Sequence, residues 1–174
     1  MEKTGYKSVG GQAQYLCGER LDIRFSTKEA LREGDKPRRS SQEKIKRVGR
    51  YLLYAPRYVI NFYWQRPQRV VKVLVDSDHA GCPRTRKSTS CILVMRGRHL
   101  LNEIILTQPN VAISSGESEF HGLVRAAVEA CYVKNVYEFL DKIVMVEIVA
   151  DSTAALGAAR RLGCGKKMKH IGPE

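Results

Sequence analysis

The sequence has few of the features that would place it outside a reducing compartment or in a membrane. Its five cysteines are odd in number and scattered, and they form no Cys-x-x-Cys pair, which argues against a disulfide framework and against a zinc site. No apolar run approaches the length needed to span a bilayer. The first residues, MEKTGYKSVGG, lack the apolar stretch of a secretory signal. We therefore expect an intracellular protein with structural free thiols and no membrane partner.

Acidic residues are scarce relative to basic ones, since 18 Asp and Glu stand against 30 Lys and Arg, which gives a net charge of +12. The excess is uneven: residues 1–69 hold 16 basic against 7 acidic side chains, and residues 70–174 hold 14 against 11. A basic excess of this size favours a polyanionic partner, nucleic acid first, over a merely soluble surface. A third interpretation is a basic structural module with no nucleic-acid role.

The first 69 residues predict a small helical segment. Helical patterns fill residues 8–32 with a break near Gly18, and SSQEKIKRVGRYLLYA predicts a further helix with one apolar stripe. The aromatic run YVINFYWQ predicts a strand that Pro67 closes. We therefore place a domain boundary after residue 69.

From Val70 onward the pattern changes to that of a larger domain, residues 70–174. Three strands (in VVKVLVD, CILVM and HLLNEIIL) are followed by a long helix, a fourth strand in VMVEIVA and a short helix. This order of elements predicts an α/β (α+β mixed) domain with a mixed sheet. With 43% hydrophobic residues, the 174-residue chain can bury a full domain core.

Three carboxylates occupy notable places in this predicted domain. Asp76 ends the first strand, Asp151 ends the fourth strand, and Glu119 lies in the first turns of the long helix. Ligands of layered α/β sheets gather outside strand ends, and converging carboxylates need a hard cation such as Mg²⁺ to offset their repulsion. Two such ions about 3.5–4 Å apart would suit phosphodiester cleavage.

Ordinary structural roles would explain the same acids. Asp151 could be the N-cap of the helix that follows it, and Asp76 or Asp78 could be a turn residue. Periodicity does not choose between Asp76 and Asp78, which have the same strand parity, or between Glu117 and Glu119, which both flank the apolar stripe of the helix. On spacing alone, both interpretations stay open.

Four short motifs nevertheless form a familiar series: VDSDHAGCPRTRKSTS, VAISSGESEF, VADSTAALGAARR and KHI. In order and spacing they resemble the ribonuclease H domain of copia-type retrotransposon Pol polyproteins. The preceding YLCGERLDIRFSTKEAL and SSQEKIKRVGRYLLYAPRYVINFYWQ resemble the linker that joins the reverse transcriptase to that domain. The resemblance covers roughly residues 5–171.

The resemblance implies a ribonuclease H-like fold, with a five-stranded mixed sheet flanked by helices. It also implies cleavage of the RNA strand of an RNA–DNA hybrid with two Mg²⁺ or Mn²⁺ ions. The implied catalytic residues and metal ligands are Asp76, the first Asp of DSD, Glu119, the second Glu of GESEF, and Asp151. In this assignment Asp76 bridges both ions, and Glu119 and Asp151 each hold one side of the pair.

The resemblance further places the basic run RTRKSTS near the hybrid. The implied phosphate contacts are Arg84, Arg86, Lys87 and Ser88. The alternative is a solvated hairpin loop without a ligand.

The end of the sequence departs from the family pattern, in which KHI is followed by an acid and a further helix. Here the chain reads KHIGPE and stops, so we expect a domain truncated at its C-terminus, from a polyprotein that also contains a reverse transcriptase domain. Two hypotheses follow. The chain is either a ribonuclease H-type endonuclease or a catalytically inactive retrotransposon remnant that at most binds nucleic acid.

Overall fold

The computed structural model describes residues 3–160, and its contacts divide the chain into two compact units. The N-terminal unit is Met1–Asn61 and the C-terminal unit is Phe62–Glu174. Each unit has a separate cluster of buried apolar residues. The KHI motif and the element predicted around it lie outside the described residues.

The N-terminal unit is helical, as predicted, and the predicted break near Gly18 falls after its first helix. The buried hydroxyl of Tyr6 donates to the carbonyl of Ala30, which ties the first helix to the second. Ile45 and Val48 come from the apolar stripe of the third helix and are 1% and 4% exposed, because residues three apart lie on one helix face. The elements are α1 (Lys3–Leu16), a short 3-10 turn (Leu21–Ile23), α2 (Arg24–Leu31) and α3 (Arg39–Tyr54).

The aromatic run YVINFYWQ is not a strand, contrary to the prediction. Pro56 and Pro67 flank it, and proline cannot donate a hydrogen bond to a sheet. No face of the run is buried, and the Trp64 side chain is 86% exposed. Its end is held by a side chain instead, since Gln65 Nε2 donates to the carbonyl oxygen of Arg96 at 2.8 Å.

The C-terminal unit contains one mixed sheet with the strand order β3-β2-β1-β4. Neighbours β1 and β2 are antiparallel, as are β2 and β3, whereas β1 and β4 are parallel. This arrangement confirms the predicted mixed α/β organisation. The elements are β1 (Val70–Ser77), β2 (Thr89–Arg96), β3 (His99–Thr107), α4 (Ser115–Phe139), β4 (Met145–Ala150) and α5 (Thr153–Ala159).

The core of this unit lies between the sheet and α4. Because side chains alternate along a strand, Val71, Val73 and Val75 of β1 are buried, whereas Lys72 and Asp76 are exposed. Burial of each such valine contributes about 1.5–3 kcal/mol relative to leaving it exposed. The partners of these valines include buried residues of β2, α4 and α5, namely Ile92, Val94, Leu123, Ala126, Ala130 and Ala155.

The resemblance implied five strands, and this number is wrong for the described residues, which form four. The physical reason is that each of the four apolar runs between residues 70 and 150 forms one strand, and the long interval between β3 and β4 is occupied by α4. With 25 residues, α4 is the longest described helix, yet no described helix has both the length and the apolar character that crossing a membrane requires.

Candidate metal centre

The parallel pairing of β1 and β4 brings two acids together at one edge of the sheet. The last paired residues are Val75 of β1 and Ala150 of β4. The next residue along each strand is an aspartate, Asp76 in β1 and Asp151 after β4, and both side chains are exposed. Parallel strands end at the same sheet edge, which is where ligands of α/β sheets bind.

The start of α4 delivers the third carboxylate to this edge. Ser114 is the N-cap of α4, and its hydroxyl accepts the backbone N–H of Glu117 at 3.2 Å, which satisfies one of the donors left open at a helix start. Glu119 follows in the next turn, and its carboxylate accepts the backbone N–H of Ser77. Since Ser77 is the last residue of β1, this hydrogen bond joins the beginning of α4 to the end of β1.

The three carboxylates form a compact cluster. One oxygen each of Asp76, Glu119 and Asp151 lies within 4.8 Å of the other two. Between residues 3 and 160, no other trio of His, Cys, Asp or Glu side chains meets this criterion. Three negative charges this close repel one another unless a cation lies between them, and carboxylate oxygens are the ligands that Mg²⁺ prefers in proteins.

The electrostatics of Glu119 also fit a cation. Its Oε2 atom is buried and has no hydrogen-bond partner, a costly arrangement for a carboxylate. Burial raises the pKa of Glu119 above its ordinary value, the charges of Asp76 and Asp151 raise this pKa further, and the hydrogen bond from Ser77 lowers it. A divalent ion held by the three acids would bind the unpartnered oxygen and offset the repulsion, so the residues present fit such an ion.

The raised pKa of Glu119 predicts a pH dependence of stability. The folded state binds this proton more tightly than the unfolded chain does. Proton binding therefore raises the free energy of unfolding, and this increase is complete below the ordinary glutamate pKa. It then falls as the pH rises through the raised pKa of the folded state. We expect Glu119→Gln to remove this decline when thermal unfolding is measured in EDTA at a series of acidic to neutral pH values.

A matched control for this measurement is Glu138→Gln, because Glu138 lies on the exposed side of α4. This variant loses the ion pair with Lys134 at 3.6 Å but should retain the decline at rising pH, because Glu119 is unchanged. Identical pH profiles for the unaltered chain and Glu119→Gln would contradict the assignment of the decline to Glu119.

The geometry separates the two glutamates that periodicity left equivalent. Glu117 is only 4% exposed, and its Oε2 accepts the backbone N–H of Ile113 at 2.8 Å. Its other oxygen lies 3.6 Å from Nε2 of His121. Glu117 therefore stabilises the helix start, while Glu119 belongs to the cluster.

Hydrogen bonds also separate Asp76 from Asp78, which periodicity left equivalent, and they decide whether Asp151 is an N-cap. Oδ1 of Asp78 accepts the backbone N–H of Thr89, and the Asp78 N–H donates to the Thr89 carbonyl at 3.0 Å. Asp78 therefore closes the loop between β1 and β2. Asp151 is not the N-cap of α5, because that position belongs to Ser152, whose hydroxyl accepts the N–H of Ala155 at 3.2 Å.

A buried polar network adjoins the cluster, and sequence reasoning missed it. Gln108 follows β3 and is 2% exposed. Its Nε2 donates to the Ser90 hydroxyl at 2.9 Å and to the Ser118 carbonyl at 2.7 Å. The hydroxyls of Ser77 and Ser90 are hydrogen-bonded to each other at 2.8 Å. The network thus connects β1, β2, the segment after β3 and α4.

This network fixes the two elements that hold ligands, because Ser77 follows Asp76 and Ser118 precedes Glu119. A sequence signal for it does exist. Ser77 and Ser90 occupy core-facing positions in strands whose other inward residues are apolar. A buried hydroxyl is costly unless it is hydrogen-bonded, so such serines indicate a polar partner even when that partner is not identifiable from the sequence.

The basic loop between β1 and β2 begins two residues after Asp76. Arg84 and Arg86 are exposed and Lys87 is half-buried. Ser88 is fully buried, and its hydroxyl accepts the backbone N–H of Ala80 at 3.0 Å. Burial therefore removes Ser88 from the surface that a phosphate could contact, whereas the three cations remain candidates for this role.

Comparisons with known proteins give two informative relatives, both from Arabidopsis thaliana. The chain is 26% identical over 132 residues to the retrovirus-related Pol polyprotein from transposon RE1, covering 76% of this chain and 9% of the polyprotein. It is 28% identical over 128 residues to an uncharacterized mitochondrial protein, covering 74% of this chain and 53% of that protein. The chain thus spans about half of one relative and a small part of the other.

No family model matches the chain, and no solved structure does. The similarity to a segment of a transposon Pol polyprotein supports the predicted relationship to retrotransposon Pol polyproteins. The matched segment is only 9% of that polyprotein. The activity of this chain is therefore proposed below.

Proposed function

We propose that the chain is a ribonuclease H-type endonuclease, a fragment of a retrotransposon Pol polyprotein that cleaves the RNA strand of RNA–DNA hybrids with two Mg²⁺ or Mn²⁺ ions. The observation that carries the proposal is the cluster of Asp76, Glu119 and Asp151, whose carboxylate oxygens lie within 4.8 Å of one another. The similarity to the transposon Pol polyprotein supports the setting.

The three acids would have distinct tasks. Asp76 lies in β1, which has a strand on each side, and would contact both ions. Glu119 and Asp151 would each hold one side of the pair, and the hydrogen bond from Ser77 keeps Glu119 in place. When bound, the ions supply a water of lowered pKa and neutralise the charge that develops on the leaving oxygen. Asp76 and Asp151 are exposed, so a phosphodiester can reach them.

Binding of the hybrid would use the basic loop. Arg84, Arg86 and Lys87 carry charges that suit phosphate oxygens, and the loop leaves β1 directly beside the cluster. A reverse transcriptase domain in the parent polyprotein would be the natural partner, because reverse transcription of RNA produces RNA–DNA hybrids. We accordingly place the activity inside the cell, where both nucleic acids are present.

The test is a cleavage assay with the full chain and an RNA–DNA hybrid labelled on each strand. We expect cleavage of the RNA strand with Mg²⁺ or Mn²⁺ and none in EDTA, because the acid cluster does not attract a phosphodiester without cations. Duplex DNA and single-stranded RNA of the same sequence are the matched substrates and should remain intact. An intact hybrid in the presence of either metal would refute the nuclease proposal.

A second candidate is an inactive remnant that only binds nucleic acid, and the exposed basic loop favours it because phosphate contacts need no metal ion. Binding without cleavage would support this candidate. The logarithm of the affinity should then fall with the logarithm of salt concentration, with a slope of about 0.9 for each phosphate contacted.

A further inference from the structure

A second basic surface lies on α3 of the N-terminal unit. One side of this helix carries four exposed cations, and in the part of the chain that the structure describes none of them forms an ion pair. Other basic residues of the unit have acidic partners, for example Lys7 with Asp35 at 3.7 Å and Arg38 with Glu33 at 3.8 Å. The four exposed cations are Lys44, Lys46, Arg47 and Arg50.

The like charges of these cations repel one another along the helix. Lys46 and Arg50 are four residues apart, and Lys44 and Arg47 are three apart, so like charges adjoin on the helix surface and repel each other. An acid at any of these positions would relieve the repulsion. The one acid among them, Glu43, lies three residues before Lys46 and four before Arg47 but pairs with Arg39 at 3.3 Å. It offsets only part of the repulsion, so the remaining positive charge favours a polyanionic partner.

Gly49 is a second feature that lowers the stability of α3. It lies in the interior of α3, where glycine is less favourable than alanine. A Cβ atom at this position would meet nothing within 4 Å, so packing does not require glycine. A shallow groove of about 580 Å³ runs past Gly49, and its other lining residues are Glu43, Lys46, Arg47, Arg50 and Leu53.

We propose that the α3 basic face binds the phosphate backbone of a double-stranded nucleic acid; this face consists of the residues of the groove, Lys46, Arg47, Gly49 and Arg50, with Lys44 at the edge beyond Arg47. Its cations neutralise the phosphates, and Gly49 leaves room for the backbone to approach the helix. The inference takes its partner class from the proposed function, but it concerns a different unit and needs no cleavage.

The buried side of α3 favours nucleic acid over a membrane surface. A helix that lies in a membrane interface inserts its apolar face among the lipids. In α3 that face is already occupied, because Ile45 and Val48 pack in a core with Tyr6 and Ile23. The exposed basic side can meet a polyanion. Leu53 and Tyr54 beside it are exposed (84% and 89%), but they adjoin at the end of α3 and do not form a stripe along the helix that could insert among lipids.

The main test measures binding of the full chain to a fluorescent RNA–DNA hybrid in EDTA, over a series of salt concentrations. Lys46→Gln combined with Arg50→Gln should lower the salt slope by about 2 and weaken binding about 10–100-fold at low salt. The matched control is Lys7→Gln with Arg38→Gln, which removes the same charge from the same unit and should leave the slope unchanged. Equal effects of the two pairs, or no effect of the first, would overturn the proposal.

Gly49→Ala separates binding from folding. We expect this variant to raise the Tm of the N-terminal unit by roughly 4–8 °C, because the helix gains propensity without a clash. The same variant should weaken hybrid binding, because the added methyl group keeps the phosphate away. A raised Tm with unchanged binding would overturn the placement of a phosphate at Gly49.

The outcomes also separate this inference from the nuclease proposal. A chain that fails to cleave, yet loses hybrid binding in the Lys46 and Arg50 variant, supports the α3 basic face alone. A chain that cleaves while the variant binds normally overturns the α3 basic face alone. Binding to phosphatidylserine vesicles that depends on these cations, without hybrid binding, would also overturn it.

Discussion

Asp76→Asn should reduce metal-dependent cleavage of the hybrid about 1000-fold, equivalent to about 4 kcal/mol of activation free energy. Asp76 lies in β1, which is between β2 and β4 in the sheet. Its charge would help to hold both ions. The side chain is exposed, so the substitution leaves the core unchanged. Single-turnover cleavage measures the loss, and the rise of Tm on addition of Mg²⁺ should disappear with it.

The same variant should be more stable than the unaltered chain in EDTA, because it removes one of three repelling charges. Asp141→Asn is the matched control. It removes the same charge in the same unit from an exposed residue with φ +53, a backbone conformation that asparagine tolerates well, and its cleavage should be normal. Full cleavage by the Asp76 variant would show that the cluster is not where the chemistry occurs.

Local patterns were sufficient to predict where β1, β4 and α4 lie, because the period of apolar residues distinguishes strands from helices. They could not establish that β1 and β4 are parallel neighbours, on which the meeting of Asp76 and Asp151 depends. That neighbourhood is a tertiary fact, since about 70 residues separate the two strands. The motif resemblance supplied the expectation, and the register of the sheet now explains it in geometric terms.

The choice between Glu117 and Glu119 shows a different limit of sequence reasoning. Both residues flank the same helix stripe, and they differ in what their oxygens contact. Glu117 accepts the N–H of Ile113, whereas an oxygen of Glu119 has no hydrogen-bond partner. Periodicity describes faces and not partners. The motif resemblance chose Glu119, and the contacts of the two side chains give the physical reason for the difference.

The wrong strand prediction for YVINFYWQ and the failure to predict the Gln108 network have the same physical cause. YVINFYWQ has high strand propensity, yet a strand also requires a neighbour with which to pair, and no strand between residues 3 and 160 pairs with this run. The Gln108 network was missed because its members come from four segments that are distant in sequence. In both cases local sequence describes what a segment prefers, while tertiary contacts decide what it does.

Gly122→Ala should lower the free energy of unfolding of the C-terminal unit by about 1–2 kcal/mol, because overpacking this core costs about 2–3 kcal/mol. A Cβ atom here would lie 2.3 Å from Oγ of Ser77 and 3.2 Å from Cγ2 of Val75. The Ser77 hydroxyl is held by Ser90 at 2.8 Å, so we expect α4 to shift away from β1 to relieve the contact. The gain in helix propensity of about 1 kcal/mol only partly offsets this cost. Urea unfolding measures the change.

The displacement should also reach the candidate metal centre, because Glu119 lies one helical turn before Gly122 and is joined to β1 through Ser77. We therefore expect Gly122→Ala to weaken the rise of Tm caused by Mg²⁺. Adding Ser77→Ala removes the oxygen that clashes, while Ser90 keeps its hydrogen bond from Gln108, so the double variant should recover part of both losses.

A glycine in open space is the control for helix propensity. Gly11 lies in α1, and a Cβ atom added there would meet nothing within 4 Å, so Gly11→Ala should stabilise its own unit by about 1 kcal/mol. If Gly122→Ala stabilised the chain as Gly11→Ala does, α4 would not be held against β1 by close packing. The three carboxylates would then owe their proximity to something other than this helix–strand contact.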